Sequence, residues 1–363
     1  MRVVIDARLY GLEHRGLGRY LYELIPALAA LDQQTEYILL VDPKATLPKL
    51  PLNFRTVPAP WRVYSWGEQL KLPLLLRHLK PDLIHFPHFA GPLLRPQPYV
   101  ITIHDLILHH HPNERATTLP RPLYWVKLIA YRLVVRSALW RARQIIAVSQ
   151  TTGQDLLHFY PWVQPKLSVV PLAPGSMKLA GVPLQLPPKY LLTVGAAYPH
   201  KNLELVLKAM PLLRSTHSEF KLIIVGRNDV FMERLEALSR QLSLTNQVVF
   251  WGQASEAELA TLYRQAQAYL VPSFIEGFGL GAVEALSHGT PVVAADIPVL
   301  REVLGQAAVF IDPQQPSSLA QGIVSVLQPA VRESVLRAGE VVLKRFSWTE
   351  VARQTQAVYT AAG

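Results

Sequence analysis

The sequence predicts an α/β protein made of two doubly wound, parallel-sheet domains in tandem. Three observations carry that prediction. The chain has 363 residues, more than one hydrophobic core usually organises, so two domains are expected. Short apolar runs alternate with helix-length segments along both halves, the pattern of strands buried on both faces beneath covering helices. Near the middle, a proline-rich stretch without amphipathic period runs from Pro171-Leu172-Ala173-Pro174-Gly175 through Pro183 to Pro187-Pro188, and it reads as the linker.

Taken in order, buried strands are expected at residues 3–5, 37–41, 83–86, 99–103, 145–148 and 167–170 of the first half. After the linker the alternation restarts at residues 190–194, 220–225, 248–251, 268–271, 291–294 and 308–311. Each half is thus expected to be a Rossmann-like domain, residues 1–175 and 176–345. Ser347-Trp348-Thr349-Glu350 has the spacing of a capping box, Ser at the cap and Glu three residues on, and opens a last helix to about residue 361.

Half of the chain is apolar and 17% is charged, which excludes a disordered chain. No apolar stretch reaches about 18 residues, so no membrane span is expected. Asp6 follows a very short apolar run at the start, which suits a first buried strand rather than a secretory signal, and a cytoplasmic location is expected. With no cysteine, disulfides, thiolate metal sites and cysteine nucleophiles are excluded. The net charge of +10 is uneven: residues 1–175 hold 20 Lys+Arg against 11 Asp+Glu, residues 176–363 hold 16 against 15. Such a basic half attracts phosphates. Residues 121–143 place basic side chains among aromatics and aliphatics on one expected helix. That segment can lie on an anionic membrane, as a peripheral contact on the cytoplasmic face. The commoner arrangement is an amphipathic helix packed on a sheet with its cations solvated. Nucleic acid, suggested by charge alone, is not expected as a partner.

The chemistry begins after the first strand, where Gly11 and Gly16-Leu17-Gly18-Arg19-Tyr20 precede a helical pattern. Glycines between strand and helix let backbone amides approach a phosphate. The spacing is not Gly-x-Gly-x-x-Gly, which counts against a nicotinamide dinucleotide. The strongest signal is Glu276-Gly277-Phe278-Gly279-Leu280-Gly281-Ala282-Val283-Glu284, a strand end running through a glycine-rich loop into a helix stopped by Gly289. Amide donors at that helix start favour a diphosphate, and the two carboxylates suit sugar hydroxyls: Glu276 those of a transferred sugar, Glu284 those of a ribose. Lys201 supplies a cation where a departing nucleoside diphosphate gains charge.

These motifs closely resemble the family 4 glycosyltransferases, whose hallmark is this Glu-x7-Glu loop and helix on a GT-B fold. The resemblance spans nearly the whole chain. Gly16 to Tyr20 is similar to the family's N-terminal glycine loop, and residues 194–202, with Gly195, Lys201 and Asn202, to its loop for the donor diphosphate. Ile103-His104-Asp105 and Ala147-Val148-Ser149 match segments lining the cleft, and the tail at residues 346–363 matches the helix that crosses back to the first domain. Some members carry arginines where Ala196 and His200 stand, so Arg227 or Arg19 is the expected substitute.

The resemblance implies two Rossmann-like domains facing a cleft, the first binding the acceptor and the second the nucleotide sugar. It implies His104, Lys201 and Glu276 as the reacting set, and Gly16, Gly18, Gly195, Lys201, Asn202, Arg227, Gly277, Phe278, Gly279, Leu280 and Glu284 as donor contacts. It implies transfer of a hexose with retention, the departing phosphate taking the acceptor proton, and it leans toward mannosyltransferases and GDP-mannose. The acceptor is expected to be a glycan or lipid-linked hydroxyl, and the base pocket to lie near residues 251–253. No cofactor and no metal are expected, because no Asp-x-Asp is present and His109-His110-His111 reads as an exposed loop. A nucleotide-sugar epimerase and a non-catalytic sugar-nucleotide-binding protein are the alternatives; epimerised free donor, or binding without turnover, would distinguish them.

Overall fold

The computed structural model describes residues 1–11, 15–117, 119–177, 184–214 and 217–363. The chain forms two compact units: residues 1–112, 119–173 and 346–363 make the first, residues 113–118 and 174–345 the second.

Unit 1 holds a seven-stranded parallel sheet in the order β3-β2-β1-β4-β5-β6-β7. Its strands are β1 (Arg2–Ala7), β2 (Glu36–Val41), β3 (Phe54–Pro58), β4 (Leu83–Phe86), β5 (Tyr99–Ile103), β6 (Gln144–Ala147) and β7 (Leu167–Val169). The central strands are buried along their whole length, as continuous apolar runs between helical layers must be. Strand β3 departs from the expectation, which had no strand there. Only Phe54 of it is buried while Arg55, Thr56 and Pro58 are exposed, so it lacks the apolar run of a central strand and survives as an edge, where Pro58 costs no ladder bond.

The helices of unit 1 are α1 (Arg15–Leu31), α2 (Trp66–Leu79), α3 (Ile107–His110), α4 (Arg121–Arg141), α5 (Gln150–Phe159) and, after unit 2, α13 (Trp348–Ala362). Leu72 and Leu76 of α2, Val135 and Leu139 of α4 and Leu156 of α5 share one core with β4, β5 and β6, so these three helices cover one face of the sheet. Helix α13 packs on α1. Its start is capped as expected, the Glu350 amide donating to Ser347 at 3.2 Å, but the box is only half formed. The Glu350 carboxylate turns outward to Arg353 and Gln354 instead. The far end of α13 is tied in by Tyr359, whose hydroxyl lies 2.7 Å from His85 Nδ1.

Unit 2 holds a six-stranded parallel sheet in the order β10-β9-β8-β11-β12-β13. The strands are β8 (Tyr190–Val194), β9 (Lys221–Val225), β10 (Val248–Gly252), β11 (Ala268–Val271), β12 (Val292–Ala295) and β13 (Ala308–Ile311). Its helices are α6 (Leu203–Leu213), α7 (Val230–Gln241), α8 (Glu256–Gln265), α9 (Leu280–Ser287), α10 (Pro298–Leu304), α11 (Pro316–Leu327) and α12 (Pro329–Leu343). Both sheets run outward in two directions from their first strand. In unit 2 the reversal falls between β8 and β11, and the carboxyl ends of the strands at such a reversal are where doubly wound sheets commonly bind ligands.

Candidate active site

The two motifs singled out in the second half leave from the two strands at that reversal. Strand β8 is followed by Gly195, whose φ of 143° suits glycine, and a Cβ there would meet nothing within 4 Å. The chain continues through a short 3-10 turn, Pro199–Lys201, to Asn202, which takes a left-handed φ of 56° and starts α6. The Asn202 amide group donates to the carbonyls of Pro272 at 3.0 Å and Pro313 at 2.8 Å, pinning the lysine loop to the loop after β11. That second loop runs from Pro272 through Ser273, Glu276, Gly277 and buried Phe278 to Gly279, whose φ of 85° turns the chain into α9.

Lys201 and Glu276, 75 residues apart, meet here. The ammonium lies 2.8 Å from both carboxylate oxygens, and Ser273 Oγ donates to Oε1 at 2.6 Å. Burial pushes the Glu276 carboxyl up, but the Lys201 charge and the hydrogen bonds from Lys201 and Ser273 outweigh it and hold the group below the ordinary carboxylate value. A buried ion pair of this kind is a costly arrangement unless hydrogen bonds complete it, so the pair fixes both side chains in register. Glu284 lies within α9 and is buried, with Tyr263 donating to Oε2 at 3.3 Å.

Helices α2, α5, α7, α8 and α13 are capped by Ser65, Ser149, Asp229, Ser255 and Ser347. No side chain caps α9 or α6. At α9, Gly279 has no side chain with which to cap, and the first-turn amides of Leu280 and its neighbours sit at the positive end of the helix dipole. Glycine is also required by packing. A Cβ on Gly279 would stand 2.5 Å from Leu300, one on Gly281 2.4 Å from the Tyr269 hydroxyl, and one on Gly226 2.3 Å from the Gly195 carbonyl oxygen. Arg227 follows Gly226 and is exposed. Gly252, at the end of β10, accepts from the Gly226 amide at 2.9 Å, closing the same edge near residues 251–253.

Unit 1 carries the remaining candidates. Gly16 and Gly18 were expected in a loop before a helix; they lie instead inside the first turn of α1, because an apolar face begins at Tyr20 and the helix extends back over them. A Cβ on Gly16 would meet nothing within 4 Å, so packing does not demand glycine there. Residues 12–14 lie outside the described residues. Arg19, an expected phosphate partner, is buried and lies 3.6 Å from Glu23 one turn on. Ser149 is buried as the cap of α5, accepting from the Thr152 amide at 3.0 Å.

His104 follows β5. Its Nε2 is 3.0 Å from the Pro87 carbonyl and its ring meets Tyr20 edge-on with centroids 4.9 Å apart. Burial lowers its pKa to about 4, against the Pro87 carbonyl, so the imidazole is neutral at neutral pH. The histidine run also corrects an expectation: His109 is not in an exposed loop. A single helical turn, α3, rotates it inward to Tyr160 at 2.7 Å, while His110 pairs with Asp155 at 2.9 Å. Among the described residues no three His, Asp or Glu side chains form a group that could hold a metal ion.

Sequence reasoning missed a buried charge cluster at the end of β1. Arg8 bonds both Asp6 oxygens at 2.7 Å and Glu68 Oε1 at 2.6 Å. Desolvation works against the guanidinium charge, but the two carboxylates prevail and raise its pKa. The only signal was Asp6 and Arg8 closing an apolar run; Glu68, 60 positions on, was invisible.

Comparison with known proteins extends the geometry. The model of "Glycosyltransferase Family 4" matches residues 14–173, and that of "Glycosyl transferases group 1" matches residues 180–339. The chain is 29% identical to the O-antigen chain mannosyltransferase RfbU of Salmonella typhimurium over 76% of this chain and 72% of that one. It is 27% identical to O-antigen chain mannosyltransferase B of Escherichia coli over 95% of each. Among solved structures, sucrose-phosphate synthase from Thermosynechococcus elongatus superposes with a TM-score of 0.75 at 21% identity, covering 99% of this chain and 98% of that one. Anabaena HepE in complex with UDP and glucose gives 0.74 at 16% identity, with 99% of each covered.

Proposed function

Because the chain belongs to the family 4 glycosyltransferases, on a GT-B fold, we propose that it moves a hexose from a nucleoside diphosphate sugar to a glycan or lipid-linked hydroxyl, with retention and without a metal ion. Mannose from GDP-mannose is the leading donor: the O-antigen relatives are mannosyltransferases by name. A place in polysaccharide synthesis follows from the same names. The observation that carries the reading is the Lys201–Glu276 pair beside the uncapped start of α9.

In this reading the diphosphate lies across the first turn of α9, where backbone amides and the Lys201 ammonium meet charge that grows as the bond to the sugar breaks. An ammonium has three N–H donors. Two face Glu276, so one remains for a phosphate oxygen while the pair persists. Glu276, held ionised, accepts from a hydroxyl of the transferred sugar, and Glu284 from the ribose. The departing phosphate oxygen takes the acceptor proton, which removes the need for a separate base. His104, neutral, can donate to or accept from a sugar hydroxyl. Asn202 acts as a positioning residue for both loops, and Gly195, Gly277 and Gly279 let ligand approach the backbone. The acceptor is assigned to unit 1, whose basic excess suits a phosphorylated or membrane-held glycan, with peripheral contact to an anionic membrane.

The test is calorimetry of nucleoside diphosphates and their sugars in EDTA, on the wild type and on Glu284→Gln, which keeps the volume of this buried side chain. One nucleotide family should bind, about tenfold or about 1.4 kcal/mol weaker in the variant. Lys201→Met should lower kcat by about 10² to 10³, and the product anomer should match the donor. Binding indifferent to Glu284, an inverted product, or activity abolished by EDTA would each defeat the corresponding part.

A further inference from the structure

Helices α2 and α4 cover the same face of the unit 1 sheet, so their outward sides belong to one surface. A helix packed on a sheet ordinarily turns polar residues outward. Helix α4 turns large aliphatic side chains outward among its cations. Leu123, Val126, Ile129 and Leu133 are each more than half exposed, and they recur at three- and four-residue spacing, which lines them into one ridge. Buried Leu128, Val135 and Leu139 take the opposite side. Helix α2 repeats the pattern, with Trp66, Leu70 and Leu74 exposed at four-residue spacing. The two ridges are bridged by residues 93–94. The Leu93 amide donates to Gln69 of α2 at 2.9 Å, Arg141 at the end of α4 donates to the Leu93 carbonyl at 3.2 Å, and Leu94 is exposed.

Charge identifies the occupant. Residues 121–143 carry six Lys+Arg and no Asp or Glu. Lys127, Arg132 and Arg136 are exposed around the ridge, Arg136 continuing its line three residues beyond Leu133. A protein partner's contact core would be depleted of charge of one sign only by accident, and nucleic acid would be met by cations without large aliphatic side chains between them. An apolar crest flanked by cations matches a surface with hydrocarbon at its centre and phosphates around it. Among the described residues no helix is long and apolar enough to cross a membrane.

We propose that the outward faces of α2 and α4 form a docking surface that seats unit 1 on an anionic lipid bilayer, the ridge entering the headgroup layer and the cations meeting lipid phosphates. The proposal deepens the lipid-linked acceptor reading and rests on it for its purpose. The docking itself can be measured without donor or acceptor.

Sedimentation of the full chain with phosphatidylcholine vesicles, with and without phosphatidylglycerol, decides it. The wild type should bind the anionic vesicles and lose affinity as salt rises. Arg132→Gln with Arg136→Gln should weaken binding about thirtyfold, taking about 1 kcal/mol for each basic residue at the surface. Ile129→Glu with Leu133→Glu should weaken it at least as much. All four positions are exposed, so nucleotide binding should stay at the wild-type level and certifies the fold. Equal binding to neutral and anionic vesicles, no binding by the wild type, or variants that bind like the wild type would overturn the proposal. A concentration-dependent dimer dissolved by the glutamates would overturn it in favour of a second copy of this chain. If vesicles bind but no nucleotide does, the docking surface stands and the transferase reading fails; the converse result fails the docking surface alone.

Discussion

Units 1 and 2 share a strand order and finish the carboxyl edges of their sheets differently. In unit 2 the edge is rich in backbone: Gly226 lets its loop approach Gly195, Gly279 turns the chain into α9 against Leu300, α6 and α9 start without a side-chain cap, and Lys201 is held in an oriented pair with Glu276. In unit 1 the edge is filled with side chains. His85 lies within 2.8 Å of Thr102 Oγ1 and 2.7 Å of the Tyr359 hydroxyl, His104 packs on Tyr20, and Asp6, Arg8 and Glu68 form a closed charge cluster. The lesson is that topology decides where a crevice forms, whereas local residue content decides what chemistry it supports. An edge of amides and one ammonium suits phosphate, and an edge of neutral imidazoles and hydroxyls suits sugar hydroxyls.

The sharpest way to break that contrast is acid. Burial lowers the pKa values of His85 and His88 to about 3 and of His104 to about 4, against 6.5 for an unfolded histidine. Each is therefore neutral when folded and takes up a proton on unfolding. Stability is fully present above pH 6.5 and falls as pH drops toward 4, by roughly 1.4 kcal/mol per histidine per pH unit. Urea unfolding from pH 7.5 to 5 should show it, followed by tryptophan fluorescence, since six of the seven tryptophans, all but Trp251, are in unit 1. A flat midpoint across that range would mean the unit 1 edge is not closed.

Glycine substitution gives the next largest effect and tests both edges. Gly226→Ala drives a Cβ against the Gly195 carbonyl and should cost about 2–4 kcal/mol in chemical denaturation. Gly16→Ala, with open space around it in α1, should instead stabilise by about 0.5–1 kcal/mol. Equal effects would erase the distinction, while a stabilised Gly16→Ala that loses transfer activity would give that glycine a ligand rather than a turn.

The smallest effect concerns the tail. Tyr359→Phe removes the partner of His85 Nδ1 and should cost about 1 kcal/mol, read as a lowered Tm with faster hydrogen exchange in α13. Unchanged exchange would show that α13 is held by its apolar contacts and the Gln356–Asp32 bond without help from Tyr359.

Much of the fold was legible because its signals are local. Runs such as Tyr99–Ile103 are apolar throughout, and any chain with that alternation must bury them between helices. Strand β3 escaped because an edge strand needs burial on neither face, so Phe54-Arg55-Thr56-Val57-Pro58 carries no period to read. The glycine-rich loop, Glu276 and Lys201 were likewise legible as residue types following strands, and Glu284 as a carboxylate in the helix after the loop.

Their relations were not legible. That Lys201 neutralises Glu276, that Arg8 joins Asp6 to Glu68, and that His109 turns inward depend on contacts between residues 51 to 75 positions apart, which no local pattern encodes. Helix α4 shows the limit most plainly. Its sequence is apolar on every side and fixes a helix rich in cations, but only the sheet beneath it selects Leu128, Val135 and Leu139 for the core and leaves Ile129 and Leu133 outside. The sequence by itself determined the central strands, most helices and which residue types follow them, because period and residue type are properties of neighbours along the chain. The tertiary structure alone decided which charges are paired, which histidines are neutral and which apolar faces meet solvent, because burial is a property of neighbours in space.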